Sequence, residues 1–106
     1  MYIRIQDDSI RYRVSRDEAN QLVAGKVLQS SLTLSPSHSL SYEISTTHDA
    51  SSFEFNVHSN GLLLSINRDE LQKEIEGRPS KQGLVFTQSF TEKEILISLE
   101  IDLKNK

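Results

Sequence analysis

Apolar and polar side chains alternate through most of this chain. Ile3 and Ile5, then Ile10, Tyr12 and Val14, recur at every second position around Asp7-Asp8-Ser9. That pattern marks a hairpin with one buried face. Fifty-two positions later the same grammar returns: Phe55 and Val57, a turn at Ser59-Asn60-Gly61, then Leu62, Leu64 and Ile66. Superposing the two stretches pairs Ser15-Arg16-Asp17-Glu18 with Asn67-Arg68-Asp69-Glu70 and Gly25 with Gly77.

Each hairpin runs into a helix with its own punctuation. Ser15 and Glu18 have the spacing of a capping box, and Asn67 with Glu70 is a close analogue. Asp17-Glu18 and Asp69-Glu70 suit the positive end of a helix dipole. Gly25 and Gly77 predict left-handed stops, and Pro79 blocks continuation of the second helix. Between these limits lie about nine or ten residues, too few for a helix to be stable without a sheet beneath it. The expected contact stripes are Ala19, Leu22 and Val23 in the first helix and Leu71 and Ile75 in the second.

Two further strands follow each helix. Val27 to Leu34 and Leu40 to Thr46 flank Ser35-Pro36-Ser37-His38, while Gly83 to Phe90 and Glu94 to Leu103 flank Thr91-Glu92-Lys93. The polar segment Thr46 to Ser52 reads as a loop joining the halves. The expected fold class is α+β: duplicated ββαββ units, with pseudo-repeat halves 1–46 and 53–103 in a single domain spanning 1–106. They would form an antiparallel sheet or half-open barrel with both short helices on one apolar face.

Length and composition support this frame. A chain of 106 residues has the size of one domain and can bury roughly two-thirds of its unfolded surface. It has no cysteine, which removes disulfides, thiol catalysis and cysteine-ligated metal, and fits a reducing, cytoplasmic setting. The N-terminal residues lack the apolar run of a signal peptide, and the longest purely apolar stretch, Leu62-Leu63-Leu64, is far too short to span a bilayer. A net charge of −3 argues against nucleic acid as a partner.

Catalytic constellations are hard to assemble from these residues. His38, His48 and His58 fall at predicted turns without metal-ligand spacing. His48-Asp49 near Ser51 and Ser52 has the letters of a triad but not a rigid setting. The glycines Gly25, Gly61, Gly77 and Gly83 are isolated and build no phosphate loop. No cofactor is implied.

The most informative oddity is basic. If the isoleucines of the first hairpin face inward, Arg4, Arg11 and Arg13 share the outer face, with Arg4 opposite Arg11 or Arg13. Opposed like charges are unfavourable by up to about 1 kcal/mol, so something should compensate. Glu43, Glu54 and Glu100 leave the apolar face by the same logic and could lace the arginines. Alternatively the three arginines converge on a carboxylate or phosphate, to which guanidinium groups are suited. Leu63 and Leu96 also fall on the polar face beside Tyr2. Clustered, they would mark a dimer or partner surface.

The opening pattern, Ile3-Arg4-Ile5-Gln6, Ser9-Ile10-Arg11-Tyr12-Arg13-Val14-Ser15, Glu18, Leu22 and Gly25-Lys26-Val27, resembles a group of small uncharacterised bacterial proteins, a domain of unknown function. The resemblance implies no activity, cofactor or site. Paired ββαββ halves are also similar in topology to the triphosphate-tunnel proteins. Where that family has alternating glutamates, the first strand here offers Tyr2, Arg4 and Gln6, so no activity carries over.

The leading functional reading is a non-catalytic binding or protein-interaction module, with a protein or a second copy as partner. The alternative is a small enzyme or sensor that binds an anionic, phosphorylated metabolite through Arg4, Arg11 and Arg13.

Overall fold

The first hairpin forms as its alternation requires. The computed structural model describes residues 1–48, 53–58, 61–77, 83–89 and 92–102. In it β1 (Tyr2–Gln6) and β2 (Ser9–Ser15) pair antiparallel, with Ile3 opposite Tyr12 and Ile5 opposite Ile10. Asp7 closes the turn in the left-handed region, at φ 51°, a conformation that aspartate tolerates better than most residues.

Helix α1 (Arg16–Val23) starts on a complete capping box. The Ser15 hydroxyl accepts from the Glu18 N–H at 3.1 Å, and the Glu18 carboxylate accepts from the Ser15 N–H at 2.9 Å. Burial pushes the Glu18 carboxyl up. Hydrogen bonds from the Met1 amino group and from Ser15 outweigh that and hold it below the usual range. The helix ends as expected at Gly25, φ 97°, where the Gly25 N–H donates to the Leu22 carbonyl and the Lys26 N–H to that of Gln21.

Next come β3 (Leu28–Ser35), β4 (His38–Thr47), β5 (Phe53–His58), β6 (Gly61–Asn67), α2 (Arg68–Glu76), β7 (Leu84–Ser89) and β8 (Glu94–Asp102). Asn67 caps α2 by accepting from the Glu70 N–H at 3.0 Å. Gly77 departs from expectation. Its backbone is extended (φ −85°, ψ −161°), although its N–H still donates to the Lys73 carbonyl. Pro79 lies outside the described residues, as do positions 49–52 of the joining loop, while Thr46 and Thr47 belong to β4. Gly83 has a positional reason: at φ 72°, a Cβ there would sit 2.1 Å from the Leu99 carbonyl oxygen.

The expectation of one antiparallel sheet is corrected. The strands form two four-stranded mixed sheets, ordered β1-β2-β8-β7 and β3-β4-β6-β5. At the centre of each is a parallel pair. In the first sheet β2 runs beside β8, from Ser9 opposite Leu96 to Ser15 opposite Asp102. In the second, β4 runs beside β6, from Ser41 opposite Gly61 to Thr47 opposite Asn67. Each half of the chain thus contributes one hairpin to each sheet. Period-2 alternation tells which face of a strand is buried but is blind to the direction of its neighbour, so it could not separate these arrangements.

The helices do not lie on one face of one sheet either. They pack against each other, α1 also against β2 and β8 of one sheet and β4 of the other, and α2 against β6. The end of α1 is tied to the second sheet: the Thr46 hydroxyl donates to the Leu22 carbonyl at 3.0 Å, and Arg68 Nε to the Val23 carbonyl at 2.8 Å. These bonds satisfy carbonyls that a helix end leaves open.

One connected core results. It joins Tyr12, Val14, Phe86, Ile97, Leu99 and Ile101 of the first sheet with Leu28, Ile44, Phe55, Leu64 and Ile66 of the second, and with Ala19, Leu22 and Leu71 of the helices. The expected stripe residues Val23 and Ile75 pack against it half-buried. Between sheets, Phe53 stacks on Phe86 with ring centroids 4.5 Å apart.

Tyr12 is fully buried, and its hydroxyl finds no hydrogen-bond partner among the described residues. Burial pushes its ionisation far above the ordinary tyrosine range. A buried hydroxyl left unpaired costs about 1–3 kcal/mol, so Tyr12→Phe should hold or raise unfolding stability by about 1 kcal/mol. Urea denaturation checks this; a loss above about 1 kcal/mol would show that the hydroxyl is bonded.

Candidate functional site

The register of the first hairpin resolves the arginine face. Arg4 stands directly opposite Arg11, and Arg13 opposite Tyr2. Arg4 and Arg11 line one open concavity with Gln6 and Ser9, and the Ser9 hydroxyl donates to the Gln6 carbonyl at 2.9 Å, closing the turn beneath them. Arg13 lies apart from that concavity, in a second one lined by Met1, Tyr2, Val14, Ser15, Glu18 and Asp102. The three arginines therefore share a face without converging on one point.

Their compensation comes from the parallel neighbour, β8. Arg11 Nε lies 3.6 Å from a Glu100 carboxylate oxygen, and an Arg13 terminal nitrogen lies 3.7 Å from Asp102. Arg13 Nε is buried without a hydrogen-bond partner among the described residues. Arg4 has no ion pair among the described residues. The expectation that Glu43 and Glu54 join this network is corrected, because both belong to the other sheet, on β4 and β5. Asp102 is not marked by its place along the chain, because only a parallel β8 brings it alongside Ser15, two residues beyond Arg13.

The proposed leucine cluster also dissolves. Leu96 sits on β8 opposite Ser9 and Tyr2 on β1 opposite Arg13, whereas Leu63 lies on β6 of the second sheet. His38 opens β4 just after the turn, where its Nδ1 meets the Ser35 and Ser37 hydroxyls at 3.2 and 3.1 Å. His48 follows β4, and His58 ends β5. Asp49, Ser51 and Ser52 of the triad-like stretch lie outside the described residues.

A different surface emerges on the second sheet. Its apolar face runs in rows across the strands. Leu28, Ile44, Leu64 and Phe55 form one row, Ser30, Tyr42, Leu62 and Val57 the next, and Leu32 with Leu40 a third. The first row is core. Beyond it the face emerges into solvent: Leu32 is 53% exposed and Val57 64%, with Leu40, Tyr42 and Leu62 half-buried around them, and Leu34, in the bulge next to Leu32's row, is 64% exposed.

This sheet is also almost without charge, since Glu43 and Glu54 are the charged residues on its four strands. From Val27 to Tyr42 the sequence has no Lys, Arg, Asp or Glu, so the signal is the absence of charge over sixteen residues. The run covers β3, which forms one edge of the sheet. A bulge between Thr33 and Ser35 disturbs only its far end.

Arg11 is more than half exposed and its ion pair is long, so the pair is worth about 0–1 kcal/mol, offset by relief of the Arg4–Arg11 opposition. The double variant Arg4→Ala/Arg11→Ala should therefore keep its unfolding free energy within about 1 kcal/mol of the parent. A larger loss in chemical denaturation would mean that these arginines anchor the sheet.

Among the described residues no helix is long and apolar enough to cross a membrane. No curated protein matches the chain. A family model does match, across residues 1–105, and by that match the chain belongs to the family of unknown function DUF7009.

Proposed function

We propose that the protein is a non-catalytic interaction module that works through the edge hairpin β3–β4. The observation that carries this reading is the uncovered continuation of the core face at Leu32 and Val57, with exposed Leu34 in the adjoining bulge, on a sheet nearly free of charge. Monomeric proteins rarely leave contiguous apolar surface of this kind exposed. They also guard edge strands with lysines, prolines or inward charges. Here the protection falls at the turn, with Pro36 and the bulge, and not along Leu28–Thr33.

A single duplicated domain supports the same reading. The element order is ββαββ in each half, and the exchange is reciprocal: the first hairpin of one half joins the second hairpin of the other, twice over. In this reading the halves are pseudo-repeats, and the two sheets they build together differ in surface chemistry, one charged and the other nearly free of charge. The neutral sheet is the one that meets partners.

A second reading is favoured by one feature, the concavity where Arg4 and Arg11 stand opposite each other beside Gln6 and Ser9. An anionic metabolite bearing a phosphate or carboxylate suits two guanidinium groups so placed. Its test is thermal unfolding in inorganic phosphate at constant ionic strength. This reading expects stabilisation that disappears in Arg4→Ala/Arg11→Ala, and equal shifts in both proteins would dismiss it.

The interaction reading is tested by site-specific photocrosslinking in cells. A benzophenone side chain at Leu34 should give covalent protein adducts several-fold above the same group at Asp69, which is exposed on α2. Equal yields at the two positions would overturn it.

A further inference from the structure

The edge of the second sheet shows which partner its chemistry admits. Two identical chains that meet about a two-fold axis bring the same residues close together, so any charge near the axis faces its own copy. Like charges across paired strands are unfavourable. Among the four edge strands this condition leaves two, β3 and β7. β1 carries Arg4, which would oppose the partner's Arg4. β5 carries Glu54; β7 is as free of charge as β3 but shorter, six residues against eight, and its Phe86 is buried in the stack with Phe53 of β5. β3 carries no charge and is mostly exposed along its length.

We infer that β3 pairs antiparallel with β3 of a second copy of this chain, making one continuous eight-stranded sheet across the two-fold axis. The inference rests on the reading of β3–β4 as the interaction surface and names its occupant. Pairing would satisfy the N–H and C=O groups that an edge strand presents. It would also bring the exposed Leu32 side chains of both copies onto one face, where each extends the row that Leu40 begins. The opposite face near the axis would carry Ser31 and Thr33, which are exposed and uncharged.

Ser31 and Thr33 provide the test because charges there leave the core face untouched. Light scattering coupled to size-exclusion chromatography should show the mass rising with concentration from 12.1 kDa to twice that value. Ser31→Lys/Thr33→Lys should remain at the single-chain mass at every concentration, as should Ser31→Glu/Thr33→Glu, each with circular dichroism and melting like the parent. Mixed in equal amounts, the two variants should recover the doubled mass, because opposite charges now face each other across the axis. A parent that stays at the single-chain mass, a lysine variant that still doubles, or a mixture that does not recover would overturn the inference.

The photocrosslinks at Leu34 separate this failure from that of the broader reading. Adducts of a mass other than twice the chain remove the second copy as occupant and keep the surface. A hairpin that crosslinks no better than Asp69 removes both.

Discussion

Parallel pairing between the two halves of the chain is the constraint on which the structure depends. β2 lies beside β8 and β4 beside β6, so the centre of each sheet is an interface between the halves. Neither half owns a complete sheet. Tyr12 and Val14 are buried only when Leu99 and Ile101 arrive beside them, and Ile44 only beside Leu64. The helices, each too short to persist alone, close the same core by packing on one another and on both sheets. Because most of this pairing is distant in sequence, its loop-closure cost must be met before the core repays it.

The exchange of hairpins also decides which strands are edges. β1 and β7 flank the first sheet, β3 and β5 the second. Phe53 of β5 stacks on Phe86 of β7 from one sheet to the other. β3 keeps the longest exposed edge, and its neutrality makes that edge available to another strand in a way that the arginine-bearing β1 is not.

Charge is divided between the two sheets, and the division follows from the topology. The opposition of Arg4 and Arg11 is tolerated because β8 places Glu100 and Asp102 in the adjacent column, where they reach Arg11 and Arg13. A carboxylate on β8 can do this although it is more than eighty positions away in sequence, while Glu43 and Glu54, nearer along the chain, belong to the wrong sheet. The second sheet holds its outer face together with hydroxyl contacts such as Ser45 to Ser65, at 3.1 Å. It therefore gains little electrostatic protection against association.

The sequence by itself determined most of what depends on near neighbours along the chain, the extended Gly77 being an exception. Alternation from Ile3 to Val14 and from Phe55 to Ile66 set the hairpins and the face that turns to the core, although Ile5 and Val57 on that face stay exposed; Ser15 and Glu18 set the start of α1, and Gly25 set its end. These signals are local because a strand's two-residue period and a helix's unpaired N–H groups are properties of a few consecutive residues. Tertiary structure alone decided the rest: that the strands divide into two sheets, that the central pairs run parallel, that Asp102 and not Glu43 answers an arginine, and that the leucines of β3 remain uncovered. Each of these turns on which strand lies beside which, and alternation is the same whichever neighbour a strand takes.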